Sequence, residues 1–429
     1  MAFVSDRDTK PGISRSLRRG GVSLFISGEL SSLMSLRIHP VVLAALTLCL
    51  AASAVTAAEE AGNVIDALQA RLDRGEIRLA YDDRNGHGWM PDLLNRLGMP
   101  RDSQLLVFSK SSLQFEQISP RTPRALYFGT DVAVGTVQGG RLLELITNDR
   151  KDGLRFYTLD AAKTDRPRFV RQSTDCDLCH SLAGKGGPGM LVANFDVDPS
   201  GDLPNVDPAM PFRMTDDTTP FTDRYGGWYV TGQTGAMMHR GNVTMDFSVS
   251  AEPPPGGLNV TDLSGKIDLA KYLSPGSDIV ALLVLEHQVG VVNLINQANV
   301  RCGGKGGCES RDAQEVIAQL ARYMTFTGAV PLPSPVTGSS GYAAAFTREG
   351  PRDAQGRSLR DLDLKTRLLR YPLSYMLYSD AFASLNPIAR EKTLRLVHDD
   401  LTARKTDEAR AAIAIAAAAP PPGLPGWWK

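Results

Sequence analysis

The sequence predicts an α+β fold in which an antiparallel β region precedes a mainly helical C-terminal half. From about residue 105 to residue 159, apolar and polar residues alternate between glycine-containing turns, a pattern that favours short antiparallel strands. After Ser277 the apolar residues instead recur at helical spacing. This change of period divides the chain into a sheet-forming part and a helix-forming part.

The N-terminal part begins with one helix and continues as strands. Residues 61–75 place Ile65, Leu68 and Leu72 on one helical face. Paired glycines and an Asp-Gly step then separate the alternating segments. We expect strands at Ala125–Phe128, Leu142–Thr147 and Arg155–Leu159.

The C-terminal half begins with a helix that Ser277 or Asp278 can cap. This helix, Ile279–Asn299, is apolar on most of its sides, so we expect it to be buried at the centre of the protein. Residues 411–429 are rich in alanine, then in proline and glycine, and we expect them to form a disordered tail. Further helical patterns cover Asp312–Thr325, Leu362–Leu377 and Pro387–Thr402.

Residues 176–180 carry the most specific chemical signal in the chain. They read Cys176-Asp177-Leu178-Cys179-His180, the C-x-x-C-H pattern of covalent c-type haem attachment. Each cysteine adds across one haem vinyl group, and the adjacent histidine becomes the proximal iron ligand. The pattern therefore predicts one covalently bound haem c, held by Cys176, Cys179 and His180.

Two other kinds of site also use closely spaced cysteines. A thioredoxin-like site needs a strand before C-x-x-C and a helix growing from it, whereas a glycine-rich loop follows the motif here. A structural zinc site would need a second cysteine pair. Cys302 and Cys308 are separated by five residues, more than the usual two to four. Haem is the favoured interpretation.

An export signal precedes the motif. Residues 34–58 contain a short basic start at Arg37, an apolar run and small residues before Glu59. The run is too short and too rich in alanine to favour a membrane span, although an N-terminal anchor is the alternative. We expect cleavage near Ala58, a periplasmic or secreted protein, and no stable membrane insertion. Bacteria attach haem c outside the cytoplasm, so export agrees with the motif.

The composition limits the classes of partner that we expect and indicates the redox environment of the protein. The chain has 429 residues, with 47 basic and 47 acidic side chains and a net charge of +0. Such a balance gives no general attraction to nucleic acid, and we expect none as a partner. Outside the signal and the haem motif, the remaining cysteines are Cys302 and Cys308. Glycines between them allow a short loop to close, and an oxidising compartment favours a disulfide.

The residues after the motif resemble c-type cytochromes, in which a glycine-rich stretch leads to a proline near the proximal histidine. Here that stretch is Gly186-Gly187-Pro188-Gly189. The resemblance implies that the carbonyl of Pro188 accepts the Nδ1 hydrogen bond of His180. Pro188 is therefore a candidate cofactor-binding residue.

The longer chain resembles a poorly characterised group of exported bacterial proteins that carry one c-type haem motif. This resemblance implies haem binding and redox chemistry, and it specifies no substrate. The stretches that carry it are Pro120–Phe128, Gly226–Gly232, His239–Asn242 and Glu286–Gln288.

These observations divide the chain into five regions. We expect the haem to lie at the junction between the β region and the helical half, because pockets favour such boundaries. The regions are an upstream segment and signal peptide (1–58), an N-terminal α+β region (59–160), a haem-binding region (161–260), a helical region (261–410) and the tail (411–429).

The sixth iron ligand separates the functional classes. A haem iron with two strong protein ligands carries electrons, whereas an open iron binds small molecules. His239 is the favoured sixth ligand, because it lies beside Met238 on a glycine-flanked loop. His87, in a flexible turn, and His398, on a polar helix, are weaker candidates.

His287 competes with His239 for a role at the haem. With Glu286 it interrupts an apolar helix, and burying both side chains is costly unless each has a partner. One interpretation is a hydrogen-bonded core pair that Asn293 or an arginine satisfies. The other is a wall of the distal haem pocket.

The favoured function is one-electron transfer through a single haem to or from a periplasmic redox partner. The alternative is a haem enzyme or small-ligand sensor, in which Glu286, His287 and Arg240 supply acid–base or anion-stabilising groups. A third possibility is a haem that serves only as a folding clamp. A dihaem peroxidase is disfavoured, because the sequence contains no second C-x-x-C-H.

Overall fold

A six-stranded antiparallel sheet forms the first half of the protein. The computed structural model describes residues 62–173, 180, 189–190, 192–203, 214–247 and 257–428. The strands lie in the sheet in their chain order, and the three predicted strands are confirmed as the second, fourth and fifth. The strands are β1 (Leu105–Val107), β2 (Arg124–Phe128), β3 (Val132–Thr136), β4 (Leu142–Asp149), β5 (Gly153–Asp160) and β6 (Phe169–Gln172).

The sheet is buried on two faces, because alternate side chains of a strand point to opposite sides. β4 pairs with β5 so that Ile146 lies opposite Phe156 and Leu145 lies opposite Tyr157. Leu145 and Tyr157 pack in an apolar cluster with the N-terminal helices. Ile146 packs against a second cluster, which surrounds the C-terminal helices. The two cores therefore meet at the sheet.

Two helices cover the first face of the sheet. α1 (Val64–Asp73) begins after Asn63, whose side chain accepts hydrogen bonds from the backbone N–H groups of residues 65 and 66. α2 (Met90–Arg96) has a proline in its first turn. Ile65 and Leu93 from these helices are fully buried in the first cluster. The helix predicted within residues 61–75 is confirmed.

The central helix of the second half is α3 (Ile279–Gly303). As predicted, Asp278 caps it, with its side chain accepting from the N–H groups of Val280 and Ala281. Among the described residues, α3 is the one helix long and apolar enough to cross a membrane by length and composition. However, 89% of its most apolar window is buried inside the protein, as in the core helix of a soluble protein.

Shorter elements surround α3 and complete a mixed fold, with helices following the antiparallel sheet as predicted. The predicted disulfide is present and joins Cys302, near the end of α3, to Cys308. Two predicted helices are confirmed as the fourth and seventh. The elements are α4 (Arg311–Met324), α5 (Tyr342–Arg348), α6 (Asp380–Ala383), α7 (Pro387–Arg404), α8 (Asp407–Ala418) and a small sheet of β7 (Gly232–Gln233) and β8 (Thr337–Gly338).

Residues 362–377 do not form the predicted helix. Leu362 and Leu369 instead make an isolated antiparallel bridge. The Asp363 carboxylate accepts hydrogen bonds from the N–H groups of residues 365, 366 and 367, an arrangement that competes with helix formation. Pro372 has no N–H to continue a helix. The apolar spacing in this segment therefore belongs to a loop that is exposed at residues 365–367 and buried at residues 371–377.

Residues 411–428 pack against the helical core, where the sequence predicted a disordered tail. The chain forms α8 through Ala418, and Thr406 caps its start. Trp428 is fully buried, donates a hydrogen bond to the Ile413 carbonyl at 3.3 Å and meets the His398 ring edge-on. Trp428 joins buried alanine and isoleucine side chains of α8 in the helical core, and these contacts together order the segment.

Replacing Trp428 with alanine is expected to lower the free energy of unfolding by about 3–5 kcal/mol, because it opens a cavity beside α7 and α8. Trp427 is half-buried, so Trp427→Ala is a matched control that should cost less. Chemical denaturation followed by circular dichroism measures both losses. Two small and equal losses would show that the tail does not pack as described.

Candidate functional site

His180 is the residue of the C-x-x-C-H motif that the structure describes, and it lies against the sheet. Cys176, Cys179 and Pro188 lie outside the described residues. The half-buried His180 ring has its centroid 4.6 Å from that of Phe156 on β5. Phe156 lies on the sheet face that is turned toward the C-terminal helices. The motif histidine therefore stands where the sheet meets the helical half.

A backbone carbonyl orients the imidazole of His180. Its Nδ1 lies 2.6 Å from the carbonyl oxygen of Gly189, and the Gly189 N–H donates to the His180 carbonyl at 2.9 Å. Because a carbonyl only accepts, Nδ1 carries the proton and Nε2 keeps its lone pair. A histidine that binds a metal through Nε2 requires this tautomer. Among the described residues the acceptor is Gly189, whereas Pro188, which the resemblance to cytochromes implied, lies outside the described residues.

The acceptor segment is tied to the central helix. Asn293 on α3 accepts a hydrogen bond from the Met190 N–H at 2.7 Å and donates one to the Met190 carbonyl at 3.0 Å. Only a cavity of about 10 Å³ remains where Met190 meets the sheet. His180 is thereby connected to α3 through Gly189, Met190 and Asn293.

His239 is buried, and burial lowers its pKa to about 4. Its Nδ1 accepts a hydrogen bond from the Gly241 N–H at 3.1 Å, so the neutral ring carries its proton on Nε2. Nε2 has no hydrogen-bond partner among the described residues. The ring lies edge-on to Tyr225, with 6.1 Å between centroids. Iron binding through Nε2 would therefore require the bond to Gly241 to be given up.

Glu286 is paired with an arginine and a tyrosine through one of its two carboxylate oxygens, whereas the other, Oε1, is buried without a hydrogen-bond partner among the described residues. Its fully buried Oε2 accepts hydrogen bonds from Arg224 Nη1 at 2.6 Å and from the Tyr225 hydroxyl at 3.1 Å. Burial raises the pKa of Glu286 to about 7, and the charge of Arg224 opposes this rise. Arg224 also donates to backbone carbonyls of Asp217 and Thr219. The two buried charges are thus paired with each other.

His287 is satisfied at both ring nitrogens. Its Nδ1 lies 2.6 Å from Asp217 Oδ2, and its Nε2 lies 2.7 Å from Ser374 Oγ. The ring also stacks against two aromatic side chains. The interpretation of Glu286 and His287 as hydrogen-bonded core residues is confirmed, through these partners rather than through Asn293. Neither ring nitrogen of His287 is available to iron.

The hydrogen bonds that link Asp217, His287 and Ser374 run from carboxylate to imidazole to hydroxyl, as in the catalytic triad of serine hydrolases. Unlike the serine of such a triad, Ser374 cannot be reached by a substrate. Ser374 is 0% exposed, and its Oγ also accepts from the Met376 N–H at 3.2 Å at the start of a short turn. A nucleophile must reach its substrate. The three residues therefore form a structural connection between α3 and its flanking loops.

The other candidates named from the sequence have structural contacts. His87 Nε2 lies 3.0 Å from the Ala270 carbonyl oxygen. His398 contacts two tryptophan rings edge-on. Arg240 forms a two-point ion pair with Asp196, so its charge is balanced inside the protein. These residues do not form a catalytic group.

Three roles in the site escape prediction from the sequence: the Gly189 carbonyl as an acceptor, Arg224 as the arginine that pairs with Glu286, and Asn293 as the partner of Met190. Asn293 was named from the sequence as a polar residue of the apolar helix, but as a partner of Glu286 or His287. Gly189 acts through its backbone carbonyl, which leaves no side-chain signal. Arg224 meets Glu286 across 62 positions of sequence, which a local pattern does not reveal.

Within the described ranges there is no group of three or more His, Cys, Asp or Glu side chains that could hold a metal ion. A haem iron takes four ligands from its porphyrin, so one oriented histidine is enough on one side of it. Comparison of the chain with protein-family models, curated proteins and solved structures finds no match.

Burial of His239 makes stability depend on pH. Its pKa is about 4 when folded and 6.5 in the reference state, so protonation favours the unfolded chain. Relative to His239→Asn, the free energy of unfolding of protein prepared without haem should fall by about 3 kcal/mol between about pH 6.5 and about pH 4. Above about pH 7 the difference should be constant. Urea unfolding across this range measures it, and a pH-independent difference would contradict the burial of a neutral ring.

Proposed function

We propose that this protein is an exported c-type haem protein that transfers single electrons through one covalently bound haem. The observation that carries the proposal is the hydrogen bond between His180 Nδ1 and the Gly189 carbonyl, because it fixes the tautomer in which Nε2 carries the lone pair that would bind iron. The C-x-x-C-H motif and the resemblance to c-type cytochromes supply the identity of the cofactor.

In this proposal, thioether bonds from Cys176 and Cys179 hold the haem c at the junction of the sheet and the helical half, and His180 binds its iron. The haem supplies a reversible one-electron couple. The chain itself supplies orientation. The carbonyl of Gly189 holds the ring and increases its basicity, and Asn293 holds the residue that follows.

We assign the sixth iron position to His239. Of the described histidines, it is the one with a buried ring nitrogen that lacks a hydrogen-bond partner. His180 is connected to Asn293 on α3, and His239 contacts Tyr225, whose hydroxyl binds Glu286 on the same helix. Glu286 and Asn293 share one face of α3 and are about 10 Å apart along its axis. This common support favours ligation by both histidines.

The buried polar groups support electron transfer over acid–base catalysis. Asp217, Glu286 and His287 all make hydrogen bonds inside the protein, whereas an acid–base catalyst must exchange protons with a substrate. A haem enzyme or small-ligand sensor with an open distal site is the second candidate. One observation favours it: the pKa of Glu286, about 7, lies in the range of catalytic acids.

The proposed partner is a redox protein of the periplasm, reached after cleavage of the signal near Ala58. A net charge of +0 gives no support to nucleic acid or an anionic membrane surface as a partner. The burial of α3 supports its role as a core helix, which agrees with the expectation of no stable membrane insertion.

Covalent attachment tests the proposal. Protein from a host with c-type maturation machinery should keep its haem after acid–acetone extraction, whereas Cys176→Ser with Cys179→Ser should lose it. The control is Cys302→Ser with Cys308→Ser, which removes the disulfide cysteines and should keep the haem. Extraction of the haem from the unaltered protein would contradict covalent attachment.

The spectrum of the same preparations separates the two candidate functions. With both axial positions filled, the reduced protein should be low-spin and should not bind carbon monoxide readily. His239→Ala should keep the haem attached, become high-spin and bind carbon monoxide. If the unaltered protein already binds carbon monoxide readily, the enzyme or sensor is the correct class.

A further inference from the structure

A buried ion pair lies in the core close to His239. Glu286 and Arg224 are both fully buried, and Arg224 Nη1 donates to Glu286 Oε2 at 2.6 Å. The Tyr225 hydroxyl donates to the same oxygen at 3.1 Å. Removing two charges from water is costly, so stability alone does not explain the presence of this pair. Electron transfer as proposed above does not require it either.

The second carboxylate oxygen of Glu286 has a different environment from the first. Oε1 is buried and has no hydrogen-bond partner among the described residues. An ionised carboxylate carries charge on both oxygens, and a charged oxygen without a donor is costly. Protonation of Oε1 removes that charge, while Oε2 still accepts from its two donors. The cluster therefore accommodates Glu286 in either protonation state.

Arg224 is held in place whether or not Glu286 is charged. Its Nε donates to the Thr219 carbonyl at 2.7 Å, and its Nη2 donates to the Asp217 carbonyl at 3.1 Å. Its guanidinium carbon lies 4.1 Å from the centroid of the Phe221 ring. Protonation of Glu286 thus removes one of several contacts of Arg224 and leaves the others in place.

The ionisable groups that adjoin Glu286 keep its protonation close to neutral pH. Burial raises the pKa of Glu286 to about 7, and the negative charge of Asp217 adds to this rise. Burial also raises the pKa of Tyr225 and of Tyr323 on α4 well above the usual range, so both phenols are neutral. His287, the next residue of α3, bonds to Asp217 at 2.6 Å.

Tyr225 connects this cluster to the proposed iron ligand. While its hydroxyl binds Glu286, its ring centroid lies 6.1 Å from that of His239. One tyrosine side chain thus lies between the carboxylate and the imidazole that we assign to the sixth iron position. Unit charges about 10–15 Å apart, at an effective dielectric constant of about 20, shift each other's equilibria roughly tenfold. A change of charge at the iron would therefore change the protonation of Glu286.

We propose that Glu286 takes up a proton when the haem is reduced, so that electron transfer by this protein is coupled to protonation. This inference rests on the proposed function and specifies how its site is regulated. One electron from the redox partner enters the haem iron, and one proton from solvent binds Glu286 Oε1. Oxidation releases both. Asp217, which is 11% exposed, brings the cluster to the protein surface.

The reduction potential should therefore depend on pH. Reduction removes one positive charge from the iron, which raises the pKa of Glu286, so the potential should fall as the pH rises through this pKa. Between about pH 6 and pH 9 the equilibrium constant for reduction should fall about tenfold, which is 59 mV for one electron. Potentiometric titration of the full haem-loaded protein, followed by its absorption spectrum, measures this fall.

Glu286→Gln keeps an acceptor oxygen for Arg224 and Tyr225 but cannot titrate, so its potential should stay constant over this range. Asp278→Asn is the matched control. Asp278 is the buried carboxylate that caps α3, and asparagine caps helices equally well. The potential of this control should fall with pH as in the unaltered protein.

Infrared difference spectra of the unaltered protein give a second readout that does not require a folded variant. Reduction should produce the carbonyl band of a protonated carboxylic acid, and Glu286→Gln should lack this band. The proposal is overturned if the potential of the haem-loaded protein is independent of pH, if Glu286→Gln keeps the pH dependence, or if reduction protonates no carboxylic acid. Loss of the haem to acid–acetone would instead refute the proposed function, and this proposal with it.

Discussion

The central helix α3 carries polar side chains into an apolar core, and the chain around it supplies each of them with at least one hydrogen-bond partner. A buried charge or amide without a partner is costly. Glu286 binds an arginine and a tyrosine, His287 an aspartate and a serine, and Asn293 the backbone of Met190. These partners lie in segments without long helices or strands. The hydrogen bonds to the polar side chains of α3 therefore hold irregular loops in a defined position.

This arrangement connects the motif histidine to the core of the protein. Asn293 holds Met190, and the preceding carbonyl, that of Gly189, orients the His180 ring. A hydrogen bond to the outer nitrogen of a ligating imidazole tunes the bound metal. For the proposed haem, the properties of the iron would thus depend on a side chain of α3 that does not touch it. If the proposed haem is bound, the rest of the chain would therefore influence its iron as well as enclose it.

The features that could be predicted from the sequence are those that depend on residues close together in the chain. Alternation predicted the long strands, and Asp278 before an apolar run predicted the start of α3, because both depend on neighbouring residues. The prediction of a helix at 362–377 was wrong, because hydrogen bonds between turn-forming side chains and the backbone determine the conformation there more strongly than the apolar spacing does. The tail is ordered by tertiary contacts of Trp428 and of α8, which composition does not reveal. The C-x-x-C-H motif selected His180 as the candidate iron ligand. The role of the Gly189 carbonyl could not be predicted, because every residue has a backbone carbonyl.

The most direct test of this account compares the haem reduction potentials of Asn293→Ala and Asn299→Ala. Asn299 also lies on α3, donates to the Ser384 carbonyl at 3.1 Å and accepts from the Asn386 N–H at 2.7 Å. Each replacement should therefore cost about 1–3 kcal/mol of stability. The account predicts that Asn293→Ala alone shifts the midpoint potential. Equal potentials in both variants and the unaltered protein would contradict control of His180 by α3.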